Sequence, residues 1–134
     1  MGRKYLDDIG VTKECYMFST DDPRQPIWDK EKEEYGFDAR ETWALDFTFY
    51  CWLYERLKMF LNVNCINLEF HKFEYEGEEL TQQECIDRML KGCEVFFKND
   101  NDWTSPEEDQ KMINDVAKMP VKALGVHHLI LGNK

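Results

Sequence analysis

The stretch "ETWALDFTFYCWLYERLKMF" (41–60) constrains the fold of this chain more than any other segment. Its large apolar residues recur at steps of four and three, in the series Trp43, Phe47, Tyr50, Tyr54, Leu57 and Leu61. Steps of this size place side chains on one side of an α-helix. The spacing therefore predicts a long hydrophobic central helix over 38–63, beginning at Asp38, against which other elements must pack.

One carboxylate, Asp46, lies inside this apolar run. The polar residues of the segment define an expected wet side, made of Glu41, Thr48, Glu55 and Asn62. Because a helix turns about 100° per residue, Asp46 should lie roughly opposite that side. A carboxylate in apolar surroundings needs a partner, since burying a lone charge costs several kcal/mol. Two interpretations stay open: Asp46 is a structural latch with a donor such as Trp43 or Tyr50, or it binds a ligand with these aromatics.

Two further helices have start signals in the sequence. Thr81 and Glu84 have the spacing of a capping box, which predicts a helix over 81–99. Ser105, Pro106 and Glu108 predict a second amphipathic helix over 105–119, which Pro120 ends.

The remaining segments have weaker signals. Residues 65–76 alternate in polarity and predict a short β-hairpin or an extended piece. Residues 1–37 combine turn-forming and charge-rich stretches, and we expect them to be irregular. The expected fold is mainly α: a single domain, 1–134, of three main helices around the central one. Because that helix is apolar on most sides, its extra face must be covered either by the N-terminal segment or by a second subunit in a homodimer.

The charge of the chain is strongly negative. It has 27 acidic and 17 basic side chains, which give a net charge of −10. This sign argues against nucleic-acid binding, because phosphates must be neutralised by Lys and Arg. It favours solubility, or docking on a basic protein surface.

The acidic residues form two clusters, each with an aromatic residue. The first contains Glu74, Glu76, Glu78 and Glu79; the second contains Asp100, Asp102, Trp103, Glu107, Glu108 and Asp109. Each cluster is either a solvated loop or part of a surface that imitates nucleic-acid phosphates for a basic partner.

Catalytic and metal-binding motifs are missing from the sequence. No Ser, Cys or Thr has a base at a suggestive spacing, and the calcium-loop pattern fails in "DNDWTSPEED". We therefore expect a protein that is not an enzyme and has no cofactor or metal. The five Cys residues form no CxxC pair and no run of 18 apolar residues occurs, which predicts a cytoplasmic protein with reduced thiols that does not enter the membrane.

Two stretches of the chain, "YGFDARETWALDFTFYCWLYERLKMF" and "ELTQQECIDRMLKGCEVFFKND", resemble a group of small uncharacterised proteins from tailed bacteriophages and prophages. The resemblance covers 35–100 and is carried by a Thr-Trp-x-Leu-Asp segment at 42–46, an Arg-Leu-Lys segment at 56–58, and Leu80, Thr81 and Glu84. Cys85 stands where that group tends to have Trp. The resemblance implies a phage origin and brings no activity with it.

These observations together predict a small acidic phage accessory protein that acts in the bacterial cytoplasm by binding another protein. An inhibitor of a host defence or nucleic-acid-handling protein would fit this description. The alternative is a protein that binds or sequesters a small nucleotide-like ligand through Asp46 and the nearby aromatics.

Overall fold

The computed structural model describes residues 4–11, 22–63, 68–99 and 106–125, and within them the protein is mainly α-helical. The helices are α1 (Lys4–Asp8), α2 (Gln25–Tyr35), α3 (Leu45–Val63), α4 (Gln82–Lys98) and α5 (Glu107–Lys118). Strands β1 (Lys72–Tyr75) and β2 (Glu78–Thr81) form a two-stranded antiparallel sheet, and short 3-10 helices cover Ala39–Thr42 and Val121–Leu124. The prediction of a mainly α fold is confirmed.

The chain divides into two compact units, Met1–Leu53 and Tyr54–Lys134. Helix α3 is continuous through this boundary. The single domain expected from the sequence stays a prediction.

Helix α2 corrects the expectation that residues 1–37 are irregular. Pro26 lies in the first turn, where a missing N–H does no harm, and Gln25 Nε2 donates to Asp29 Oδ1 at 2.9 Å. Trp28 is buried and anchors the helix, which ends at Gly36 in the left-handed conformation (φ 90°). The charge-rich stretch is therefore helical. One buried indole, together with residues of good helix propensity, is sufficient to stabilise a helix of this length.

The start of the long helix predicted over 38–63 also differs from the prediction. Asp38 Oδ1 accepts the Arg40 N–H at 2.9 Å, and this cap begins the 3-10 helix Ala39–Thr42 rather than an α-helix. The α-helix begins at Leu45. The Asp38 carboxylate already accepts hydrogen bonds from Arg40, two residues along the chain. Glu41 therefore does not complete a capping box with Asp38.

The predicted apolar stripe of α3 is buried over most of its length. Phe47, Tyr50, Tyr54 and Leu57 are all buried, whereas Trp43 precedes the helix and is half exposed. The expected wet side is wrong in its angle. Of the expected wet side, Asn62 is exposed, whereas Glu41, Thr48 and Glu55 are half-buried. The exposed positions of α3 also include the series Leu45, Phe49, Trp52, Arg56, Met59 and Val63.

The β-hairpin joins its strands through Glu76 and Gly77, both with positive φ (51° and 82°). Two such residues form the turn type whose twist matches that of paired strands. Tyr75 lies opposite Glu78, and Phe73 lies opposite Leu80. The hairpin predicted near 65–76 therefore exists, shifted to Lys72–Thr81; residues 64–67 lie outside the described part of the chain.

Helix α4 begins with the predicted capping box. Thr81 Oγ1 accepts the Glu84 N–H at 3.1 Å, and Glu84 Oε1 accepts the Thr81 N–H at 2.9 Å. Helix α5 begins directly after Pro106 and ends before Pro120, as the sequence indicated. Its predicted cap Ser105, and the tail 126–134, lie outside the described residues.

Candidate functional site

Asp46 is exposed, so the expectation that it faces the core is wrong. The predicted direction of Asp46 around the helix axis was right, because Leu53 and Leu57, on the same side of α3, are buried. Its predicted position along the helix was wrong, because α3 begins at Leu45, one residue before Asp46. Asp46 therefore lies in the first turn. Asp46 Oδ1 accepts the Phe47 N–H at 2.7 Å. A carboxylate there is stabilised by solvent and by the positive end of the helix dipole, and it needs no distant donor.

The two aromatics predicted to accompany Asp46 have different surroundings. Tyr50 is buried and packs edge-on against Phe49, with ring centroids 5.2 Å apart. Trp43 is 47% exposed and packs edge-on against Trp28 at 5.9 Å. A shared role of Trp43, Asp46 and Tyr50 in ligand binding stays a prediction.

A cluster of Arg and Trp side chains in the first unit was not anticipated from the sequence. The Arg40 guanidinium lies 4.3 Å from the Trp28 ring centroid, and that of Arg24 lies 5.0 Å from it. Each Arg belongs to an Asp-x-Arg segment, "DPR" at 22–24 and "DAR" at 38–40. That repeated tripeptide is the signal that could have revealed the cluster.

Both Asp-x-Arg segments fold in the same way. Asp22 Oδ1 accepts the Arg24 N–H at 2.8 Å, and both oxygens of Asp22 pair with the guanidinium at 3.1 Å. Asp38 makes the same three bonds to Arg40, at 2.9, 3.2 and 2.8 Å. The hydrogen bonds from Arg40 lower the pKa of Asp38 despite its burial, and those from Arg24 lower the pKa of Asp22. Because each guanidinium has its own carboxylate, the cluster is close to neutral.

The first acidic cluster lies on the β-hairpin, and its four carboxylates are all exposed. Alternation along the strands divides them between two faces. Glu74 and Glu79 are directly opposite each other on the outer face, away from the buried Tyr75 and Leu80. Two like charges in this position repel and destabilise the hairpin.

The other two carboxylates of the hairpin have cationic partners within the second unit. Glu76 Oε1 accepts from Lys111 Nζ of α5 at 2.9 Å, and Glu78 Oε1 accepts from Arg88 of α4 at 2.9 Å. The hairpin acids are therefore of two kinds: one pair ties the hairpin to the helices, and the cross-strand pair Glu74–Glu79 faces solvent.

The second acidic cluster is described only in part. Glu107 and Glu108 are exposed in the first turn of α5, where negative charge is favourable for the helix. Asp109 is half-buried and accepts from Asn99 Nδ2 at 3.0 Å, which links the end of α4 to the start of α5. Asp100, Asp102 and Trp103 lie outside the described residues.

A part-buried hydrogen bond connects the hairpin to α5. The Tyr75 hydroxyl donates to Asp115 Oδ1, and Lys111 Nζ donates to the same carboxylate at 3.1 and 3.2 Å. Burial raises the pKa of Tyr75 to about 12, together with its hydrogen bond to the Asp115 carboxylate. Burial of Asp115 opposes ionisation, but its bonds to Tyr75 and Lys111 outweigh burial and lower its pKa. This link positions the Glu74–Glu79 pair on the surface.

The described residues contain no group of three or more His, Cys, Asp or Glu side chains arranged to hold a metal ion. None of their helices combines the length and apolar character needed to cross a membrane.

Comparison with known proteins adds no relative: no protein-family model, no curated protein and no solved structure matches this chain.

Proposed function

We propose that this chain is a small acidic phage accessory protein that binds a basic surface of another protein in the bacterial cytoplasm. Its target would be a host defence or nucleic-acid-handling protein, which the chain inhibits. The observation that carries the proposal is the cross-strand pair Glu74–Glu79 on the outer face of the hairpin. In the same proposal, α3 is the central helix around which the other helices are arranged.

The Glu74–Glu79 pair is suited to binding because its repulsion is relieved when a cation approaches. Like charges directly opposite on two strands destabilise the free protein. A Lys or Arg of a partner placed between the two carboxylates would convert that repulsion into attraction. The hairpin can present them stably, because the Tyr75–Asp115 bond and the Glu76–Lys111 pair hold it on α5.

The charge of the whole chain supports the same kind of partner. A net charge of −10 raises the rate of encounter with a basic surface and disfavours acidic ones. Proteins that bind nucleic acid present such basic surfaces. The resemblance to small proteins of tailed phages supports a target in the bacterial host.

The test compares two double variants that remove the same charge. Glu74→Gln with Glu79→Gln removes the cross-strand pair, and Glu33→Gln with Glu34→Gln removes two exposed carboxylates of α2. Proteins retained from bacterial lysate by the wild-type chain are identified, and binding of each purified candidate is titrated at several salt concentrations.

We expect a partner whose affinity falls with salt and falls at least tenfold in the hairpin variant, which corresponds to about 1.4 kcal/mol. The α2 variant should bind almost as wild type. Equal losses in both variants, or binding that does not respond to salt, would contradict the proposal.

A nucleotide-like ligand is a second candidate, favoured by the surroundings of Trp43. This indole is 47% exposed, and the Arg24 guanidinium lies 5.8 Å from its ring centroid. An exposed aromatic ring gives a base a face to stack on, and the bidentate Asp22–Arg24 pair beside it keeps the local charge close to neutral. A thermal-shift screen with nucleotides tests it, since a ligand at a hundred times its Kd stabilises by about 2.7 kcal/mol. The shift should disappear in Trp43→Ala and persist in Trp52→Ala.

A further inference from the structure

The main chain of strand β1 has an outward edge. The Gln82 N–H donates to the carbonyl oxygen of His71 at 3.2 Å, so these two residues form a hydrogen-bonded pair at the base of the hairpin. Hydrogen-bonded and non-hydrogen-bonded pairs alternate along an antiparallel ladder. In the register of the hairpin, the N–H and C=O groups of Lys72 and Glu74 therefore point away from β2.

The outward groups of β1 are without partners among the described residues. No main-chain or side-chain group there bonds to Lys72 or Glu74, and both residues are exposed. Strand β2 differs, because it leads directly into α4. Its last residue, Thr81, is the N-cap of that helix, and the Thr81 N–H already donates to Glu84 Oε1 at 2.9 Å. The edge available to another chain is therefore that of β1.

A strand edge of this kind is a template for a further extended segment. In strand addition, the main-chain hydrogen bonds supply affinity and the alternate side chains supply specificity. Lys72 and Glu74 each offer one N–H and one C=O, which allows up to about four main-chain hydrogen bonds to an added strand. A two-stranded sheet also gains stability from a third strand, because two strands alone are marginally stable.

The charges on the outer face of the hairpin determine which segment fits. Glu74 and Glu79 are directly opposite each other on that face. A strand added beside β1 places one of its residues directly opposite Glu74 on the other side. A Lys or Arg at that position is attracted, whereas an acidic residue would lengthen the row of like charges. A second copy of the chain is a poorer occupant, because it brings its own acidic hairpin and a net charge of −10.

We propose that the edge of β1 binds an extended, basic segment of the partner protein as a third strand of the sheet, with a Lys or Arg opposite Glu74. This inference rests on the proposed function and specifies how the partner is held. The main-chain bonds to Lys72 and Glu74 fix the segment in register, and the charge pair selects a basic one.

The first experiment measures amide hydrogen exchange by NMR on the full-length chain alone. The N–H groups of Phe73 and Tyr75 are bonded within the hairpin ladder, whereas those of Lys72 and Glu74 face outward. We expect the two outward amides to exchange at least about tenfold faster than the two inward ones.

The second experiment adds three synthetic peptides that differ at one residue. The probe is Val-Thr-Val-Arg-Val-Thr-Val, which alternates as a strand does and has one central cation. The second peptide has N-methyl-Arg at the centre, which keeps the charge and removes the N–H that would bond to the Glu74 carbonyl. The third has Glu at the centre. We expect the probe to slow exchange of the Lys72 and Glu74 amides at least about tenfold, and the other two peptides to bind at least about tenfold more weakly.

Three results would overturn strand addition. One is a free protein in which the Lys72 and Glu74 amides exchange as slowly as those of Phe73 and Tyr75, since the edge is then already covered. Another is a probe peptide that does not bind. The third is equal binding of the Arg and N-methyl-Arg peptides, which would mean attraction by charge alone. The proposed function fails by a different result, a lysate partner whose binding does not weaken when Glu74 and Glu79 are both changed to Gln.

Discussion

Gly92 of α4 and Val116 of α5 are in contact at the point where the two helices cross. A Cβ at residue 92 would overlap the Val116 Cγ2 atom and the carbonyl oxygen of Met112. Only glycine permits this approach, so the distance between α4 and α5 depends on one residue without a side chain.

Gly92→Ala should therefore destabilise the protein, although alanine is the better helix former by about 1 kcal/mol. Overpacking of this kind costs about 1–3 kcal/mol, because a backbone oxygen cannot move aside as a flexible side chain can. Chemical denaturation measures the effect. Lys91→Ala, at the exposed neighbouring position, should change the free energy of unfolding by less than about 0.5 kcal/mol. A stabilised Gly92→Ala protein would show that the helices are not this close.

Gln82 holds the C-terminal 3-10 helix of the described chain. Its buried Nε2 donates to the carbonyl oxygens of Ala123 and Gly125, at 2.8 and 2.7 Å. Gln82→Leu leaves these acceptors without a donor, which should cost about 1–3 kcal/mol of stability each when buried. The matched control is Gln83→Leu, whose amide bonds only to Asp87 on the surface. Equal unfolding midpoints for the two variants would show that Gln82 does not hold the 3-10 helix in place.

The Tyr75–Asp115 bond should make stability depend on pH at both ends of the range. The folded-state pKa of Asp115 is lowered, so its contribution is present above the unfolded pKa near 4 and is lost as pH falls through the lower folded value. The folded-state pKa of Tyr75 is raised to about 12, so its contribution is complete below about pH 10 and is lost as pH rises through 12.

Tyr75→Phe tests both limits. It should cost about 1 kcal/mol at neutral pH and should weaken the loss of stability above pH 10. Denaturant midpoints measured from acid to alkaline pH show this directly. Tyr35→Phe, a 63% exposed control, should leave the profile unchanged.

The two Asp-x-Arg segments provide an internal comparison of buried and exposed ion pairs. Asp38 and Arg40 are both buried, whereas Arg24 is exposed. Arg40→Ala removes the guanidinium and leaves the buried Asp38 charge with the backbone N–H of residue 40 and with Lys32 at 3.9 Å, which should cost about 3–5 kcal/mol. Arg24→Ala should cost less than about 1 kcal/mol. Thermal unfolding of both variants in one buffer measures the two losses of stability. Losses of similar size would contradict the difference in burial between the two ion pairs.

Asp46→Ala should have a small effect, since the carboxylate is exposed in the first turn of α3. Its interaction with the helix dipole is worth about 0.3–1 kcal/mol and should decrease with salt. Urea titrations at low and high salt measure it, with Asp46→Asn as the variant that keeps an oxygen acceptor. A loss of several kcal/mol would restore the interpretation of Asp46 as a core latch.

The sequence alone was sufficient for features that depend on neighbours along the chain. The Thr81–Glu84 capping box, the limits set by Pro106 and Pro120, and the buried stripe from Phe47 to Leu57 all follow from local spacing. The hairpin was visible as an alternation, although its strands were placed several residues too early.

Tertiary structure decided the features that depend on burial or on contacts distant in the chain. A helical wheel gives the angle of Asp46 but not where the helix begins, because the competing 3-10 turn depends on the buried pairing of Asp38 with Arg40. Helix α2 required a buried place for Trp28, and the division of the hairpin acids required Lys111 and Arg88 from other helices. Burial and charge pairing are properties of the folded surroundings, so no local pattern determines them.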